Sequence, residues 1–187
     1  MNCIQSSHTV ERTIKKSRFI GVIIPCSNET ELIQALNGLQ AEHPGANHIA
    51  FAFRLLTPKG VISRFHDAGE PSGTAGKPIF QHLEGRDLIN CLVAVVRYFG
   101  GVKLGAGGLT RAYGNSAREV IEAGKITPFI EYQSLRLTIH YDQQRMFEYQ
   151  LKKLNGSIID QSYGEHVELT IRLPKKDVAK LVERFGG

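Results

Sequence analysis

The sequence predicts an α+β fold, and three observations carry the prediction. Two hairpin-like pairs of short strands in the first 65 residues are interleaved with amphipathic helices. One apolar run, Leu92 to Val96, shows no alternation, as expected of a central strand covered on both faces. After Thr127-Pro128 the pattern breaks and begins afresh as β-α-β-β-α, a split βαβ unit short of its last strand.

In chain order, Thr9 to Ile14 and Phe19 to Ile24 read as strands around a turn at Lys15-Lys16-Ser17-Arg18. Asn28 followed by Glu31 has the form of a capping box and opens a helix with Leu32, Ile33, Leu36 and Leu39 on one face. His43-Pro44-Gly45 stops it. Ile49 to Leu56 and Val61 to Phe65 form a hairpin around Thr57-Pro58-Lys59-Gly60. A second helix is expected from near Thr74 to Gly85, and a third carries Leu109, Tyr113, Ala117, Val120 and Ile121 before Gly124. Beyond the break, Leu135 to Tyr141 is a strand and Asp142 can cap a helix with Phe147, Leu151 and Leu154. Ser157–Tyr163 and Val167–Leu173 follow as strands, and Val178, Leu181, Val182 and Phe185 make a final helical stripe. Ending on Phe185-Gly186-Gly187 leaves a sheet edge unfilled, so the natural chain is expected to continue further.

The chain's 187 residues suffice for one domain or two small ones, and the restart after Pro128 divides them as 1–130 and 131–187. No apolar stretch reaches membrane-spanning length, and Met1-Asn2-Cys3-Ile4-Gln5 lacks the basic and apolar regions of a signal peptide. Cys3, Cys26 and Cys91 match no zinc or redox spacing and read as reduced thiols of a cytoplasmic protein. The net charge is +5, and the excess lies mainly in residues 1–130, with 14 Lys/Arg against 10 Asp/Glu. Such a balance permits a polyanionic partner without demanding one.

The run from Arg97 to Arg118 concentrates the chemistry. It holds six glycines, the cations Arg97, Lys103, Arg111 and Arg118, and no carboxylate. Strand, glycine-rich turn and helix N-terminus together leave backbone N–H groups free to face an anion. Gly100, Gly101, Gly105, Gly107 and Gly108 are therefore candidate anion contacts, beside Arg97, Lys103 and Arg111. Glycines also cluster where strand and helix pack closely, and that plainer reading stands beside the first. The run is neither a P-loop nor a Gly-x-Gly-x-x-Gly fingerprint.

His66, Asp67 and Glu70 are close enough in sequence to suggest metal ligands or an acid/base set. Turn composition argues instead that a carboxylate here caps the helix near Thr74, or pairs with Arg97 or Lys103. Asp67, Glu70 and Thr74 thus form a candidate polar cleft. The seven histidines are scattered, no nucleophile stands out, and neither a catalytic residue, a metal site nor a cofactor is assigned. Lys16 and Arg18 could meet a phosphate, with Phe19 pointing into the core.

The stretch Asp67-Ala68-Gly69-Glu70-Pro71-Ser72-Gly73-Thr74-Ala75-Gly76-Lys77-Pro78, with Arg97-Tyr98-Phe99-Gly100-Gly101, Leu104-Gly105 and Gly107-Gly108-Leu109, resembles the signature of the IMPACT/YigZ family. Lys16-Ser17-Arg18-Phe19 and His48 to Arg54 resemble its shorter N-terminal motifs. One departure is visible: the family commonly has two acidic residues before Gly69, and here Asp67 alone is acidic. The resemblance implies two domains. The first would be similar to the second domain of a small-subunit ribosomal protein and to domain IV of elongation factor G. The second would be ferredoxin-like, similar to domain V of that factor. Eukaryotic relatives restrain a kinase that controls translation initiation, through an extra N-terminal domain for which these motifs leave no place. Only a link to translation is carried over.

The sequence therefore favours a non-catalytic regulatory factor of translation. Its partner would be RNA, the ribosome or a ribosome-associated protein, met through the glycine loop, Lys77, Lys16 and Arg18. The enzyme alternative uses the glycine loop for a phosphate or nucleotide and Asp67 with Glu70 for a metal.

Overall fold

The computed structural model describes residues 1–185. Contacts divide the chain into two compact units, Met1–Phe129 and a second that begins at Ile130.

The first unit is built on a five-stranded antiparallel sheet. β1 (Asn2–Ile4) lies outside it; β2 (His8–Ile14) and β3 (Ser17–Pro25) form its first hairpin. Lys15 and Lys16 alone make the turn, at φ 45° and 66°, the two left-handed residues that match strand twist. α1 (Glu29–Glu42) starts as its sequence dictates: Asn28 Oδ1 accepts from Glu31 N–H at 2.9 Å. The Glu31 carboxylate reaches one residue further back than a capping box requires, to Ser27 N–H at 2.6 Å. β4 (His48–Thr57) and β5 (Gly60–His66) form the second hairpin. α2 (Gly76–Gly85), β6 (Cys91–Tyr98) and α3 (Ala106–Ala123) follow.

The sheet order is β2-β3-β6-β4-β5, which places β6 at the centre. Its residues 91–97 are all buried, because α2 and α3 cover one face and α1 the other. Cys91, Val93 and Val95 pack with Ile79, Leu83 and Tyr113 on the first face; Leu92, Ala94 and Val96 pack with Leu32 and Leu39 on the second. Each such fully buried Val or Leu contributes about 1.5–3 kcal/mol relative to exposure. The apolar run without alternation is thus a strand between two helical layers.

Sequence patterning misses one pair. β1 joins β7 (Ile126–Pro128) in a two-stranded ribbon, so the break after Gly124 contains a short strand. Three-residue strands carry too few positions for a period to register.

The second unit reads β8 (Tyr132–Ile139), α4 (Gln144–Lys153), β9 (Ser157–Tyr163), β10 (Val167–Pro174) and α5 (Val178–Phe185). Its sheet has the order β8-β10-β9, and its core joins Leu137, Phe147, Leu151, Leu169, Ile171, Leu181 and Phe185. β8 starts earlier than the Leu135 expected, and Tyr141 falls in a 3-10 turn rather than in the strand. That turn is capped by Gln143, whose Oε1 accepts from His140 N–H at 3.1 Å, and Asp142 does not cap α4. The last strand expected of a ferredoxin-like unit would lie beyond Phe185, outside the described residues.

Candidate functional site

β6 alternates its side chains, so the face that carries Cys91, Val93 and Val95 ends on Arg97. Across the sheet, Arg97 is registered with Phe19 of β3 and His48 of β4. The sequence suggests Arg97 as a surface contact for an anion; its side chain is only 6% exposed. The physical reason is the period of β6, which turns residue 97 under α3 rather than outward. Its guanidinium lies over the Phe19 and Phe99 rings, 5.4 Å from each centroid.

The buried cation has a buried anion. The loop from Asp67 to Ala75 winds around the Asp67 carboxylate, which accepts from the N–H groups of Gly73 at 2.9 Å, Ala75 at 3.0 Å and Gly76 at 2.8 Å. Burial alone would raise the Asp67 pKa, but those three N–H bonds outweigh it and hold the carboxyl below its usual range. Thr74 closes the loop by donating from Oγ1 to the Pro71 carbonyl at 2.6 Å. That winding drives Glu70 inward. Its Oε1 accepts from Arg97 Nη1 at 2.6 Å and from the Tyr113 hydroxyl of α3 at 2.7 Å. His48 Nε2 stands 3.8 Å from the same oxygen, and His48 Nδ1 donates to the Ala68 carbonyl at 2.8 Å. Burial, then the bond to Glu70, pushes the Tyr113 phenol far up and keeps it a neutral donor.

The two carboxylate roles open in the sequence are therefore divided: Asp67 caps α2, which begins at Gly76 rather than at Thr74, and Glu70 holds Arg97. The metal role considered for Asp67 and Glu70 does not survive this geometry. Both Asp67 oxygens and Glu70 Oε1 face N–H and O–H donors, His66 stacks on Phe51, and among the described residues no three His, Cys, Asp or Glu side chains converge.

Above the Glu70–Arg97 pair opens a cavity of about 470 Å³, lined also by Asn47, His48, Phe99, Lys103, Leu104 and the start of α3 at Gly105 and Ala106. Gly105 is the α3 N-cap at φ 73°, a conformation that favours glycine, and no side chain caps the helix. No carboxylate occupies its first turn. The free N–H groups and the exposed Lys103 thus make a positive rim.

The other predicted residues are placed as follows. Gly107 and Arg111 are exposed on the first turns of α3, with Arg111 Nη1 the nearest side-chain atom to the place a Gly107 Cβ would take, at 3.8 Å. Gly108 packs on Leu104 and Gly101 has φ 85°. Gly100 is structural, because a Cβ there would strike the Lys16 backbone at the hairpin tip. Lys16 is exposed beside it. Arg18 is taken up by Glu11, at 2.8 and 3.0 Å, and lies over Tyr98. Lys77 is exposed on α2 and does not line the cavity. Sequence reasoning assigned no site role to Tyr113, which reads as part of an apolar stripe, or to His48, which reads as a packing or hydrogen-bonding residue. A tyrosine in a buried stripe whose hydroxyl needs a partner was the available signal.

Fold and site together define a two-unit α+β protein with a cavity over a buried ion pair and under a helix N-terminus. The chain belongs to the IMPACT family. Residues 15–121 match the Impact N-terminal domain, and residues 137–186 match a domain of unknown function (DUF1949). The chain is 37% identical to the IMPACT family member YigZ of Escherichia coli over 95% of this chain and 88% of that protein. It is 31% identical to an IMPACT family member of Haemophilus influenzae over 98% of this chain and 91% of the relative. A crystal structure of a hypothetical protein superimposes with a TM-score of 0.71 at 32% identity, covering 98% of this chain and 89% of that one. Among the described residues no helix is long and apolar enough to cross a membrane.

Proposed function

We propose that this protein is a cytoplasmic, non-catalytic regulatory factor of translation that contacts RNA, free or in the ribosome. The observation that carries the reading is the uncapped α3 N-terminus, exposed beside Lys103 and Arg111 with no carboxylate in its first turn. Aligned N–H groups and two exposed cations suit a phosphate, and phosphates are what every RNA presents irrespective of sequence. The link to translation rests on the family resemblance. Arg18, neutralised by Glu11, is removed from the contact set, and Arg97 supports it from below without reaching the surface.

The test is co-sedimentation with ribosomes and with free RNA across a salt series, alongside a Lys103→Glu/Arg111→Glu variant. Binding should weaken with salt, with a slope that rises by about 0.9 per duplex phosphate contacted, and should be lost in the variant. Absence of binding at low salt ends the reading. Binding to ribosomes that survives nuclease treatment and fails in the variant assigns the loop to a ribosome-associated protein instead.

A second reading is favoured by one observation: Glu70, Arg97 and His48 line one cavity, with the buried Tyr113 hydroxyl bonded to Glu70 from behind, as acid/base groups and their supports do in enzymes. A phosphate- or nucleotide-dependent enzyme of this kind would work without the metal pair. It predicts thermal stabilisation by free nucleotides that disappears in Gly107→Val or Gly108→Val.

A further inference from the structure

Phosphate contact needs only the rim of the cavity, and the rest of the cavity is built for more. One wall is aromatic and open, because Phe99 is 45% exposed. Leu104 and Leu109 continue that wall. The floor is polar, with Glu70, Arg97 and His48. Arg97 lines it, and its Nε is buried without a hydrogen-bond partner on a side chain 94% removed from solvent. Buried donors of this kind are normally satisfied, and an orphan in a cavity wall marks a place where a ligand or water supplies the acceptor. The walls add the complementary groups. Asn47 Oδ1 accepts from Phe99 N–H at 2.8 Å, which leaves its amide NH2 as a donor. His48 donates from Nδ1 to Ala68, which leaves Nε2 for a ligand, and the Glu70 carboxylate supplies an acceptor.

An anion-attracting rim, a flat apolar wall and a floor with both donors and acceptors match three parts of one chemical object: a phosphate, a planar heterocycle and the polar edge of that heterocycle. The volume of about 470 Å³ lies within the range of roughly 300–1,000 Å³ usual for small-ligand clefts. We propose that the cavity is a nucleotide pocket that takes one unpaired nucleotide of an RNA. The phosphate sits on the α3 amides and Lys103, the base stacks on Phe99, and its polar edge meets Asn47, His48 and Arg97. A paired base cannot enter, since its edge is engaged and its faces are covered by its neighbours. The inference rests on the RNA-contact reading above and narrows it from any phosphate backbone to an unstacked one.

The test compares a labelled single-stranded RNA without secondary structure and a blunt duplex with the same number of phosphates, by fluorescence anisotropy at fixed salt. Wild type, Phe99→Ala, Phe99→Leu and Lys103→Glu are measured, with nucleoside 5′-monophosphates titrated separately. Thermal unfolding confirms that each variant is folded, and Phe99→Leu serves if the alanine variant is not. The single strand should bind at least about fivefold tighter than the duplex, and removal of the Phe99 ring should cost the single strand about fivefold or more while leaving the duplex within about twofold. Lys103→Glu should weaken both. Equal affinity for the two RNAs, with no selective effect at Phe99, overturns the pocket and leaves phosphate contact standing. Failure of both RNAs to bind, with no binding of a monophosphate, overturns both. Saturable binding of a monophosphate that Phe99→Ala abolishes, without RNA binding, gives the pocket to a free nucleotide and overturns the RNA assignment.

Discussion

Glu70 is the residue on which the first unit's polar interior turns. It satisfies a guanidinium and a phenol at 2.6 and 2.7 Å and is 4% exposed in its side chain. A buried pair contributes little net stability against an apolar replacement, yet removal of one partner leaves an uncompensated charge. Glu70→Ala should therefore cost about 3–5 kcal/mol in urea unfolding, and the Glu70→Ala/Arg97→Met double variant should recover most of it. A double variant as unstable as the single one would show that the pair contributes through geometry instead. Asp67 makes a different prediction, because its carboxylate bonds to backbone rather than to charge. Its folded pKa lies below the ordinary value of 3.8. The stability it supplies is complete above that value and is lost as the pH falls through the folded pKa. Asp67→Asn should thus lower stability at neutral pH by about 0.5–2 kcal/mol, the usual worth of a helix cap, and the difference from wild type should shrink below pH 3.8. An offset that stays constant down to pH 2 would assign the loss to packing.

At the scale of elements, the glycine loop separates into positions that fit the chain to itself and positions that are open. A Cβ on Gly100 would strike Lys16 at the hairpin tip, whereas one on Gly107 meets nothing nearer than the end of Arg111. Gly100→Ala should force β6 and the β2–β3 tip apart and cost about 1–3 kcal/mol, as overpacking does. Gly107→Ala should leave the melting temperature unchanged or raise it, since alanine is better than glycine in a helix by about 1 kcal/mol. Thermal unfolding of the two variants decides it, and equal losses would contradict the division. The same contrast explains what was legible in the sequence. β6, α1 and α3 were, because a run without alternation, an Asn28/Glu31 cap and the stripe from Leu109 to Ile121 are local signals. The loop motifs located the cavity, but not its floor. Tyr113 reaches Glu70 across 43 positions and His48 meets Arg97 by strand register, neither of which a linear pattern encodes. Arg97 looked like a surface cation by residue type, and a run that is apolar on both faces offers no alternation from which its direction could be read.

For the whole molecule, the argument turns on where the charge and the cores lie. Residues 1–130 hold nearly all of the net positive charge, together with the cavity, α3 and every exposed cation of the candidate surface. The cores divide the same way: two clusters flank the five-stranded sheet, and a third, built from other residues, belongs to the second unit. A segment with its own sheet, its own helical layers on both faces and a closing ribbon between β1 and β7 has what a domain needs to fold alone. Residues 1–129 expressed by themselves should therefore unfold cooperatively. Under the proposed function they should also retain the RNA affinity of the full chain within about threefold, and the slope of log affinity against log salt within about one. Residues 130–187 carry almost balanced charge and should not bind RNA measurably at the same salt. Loss of the salt slope in folded 1–129, or its appearance in the second unit alone, would move the contact surface off the glycine loop.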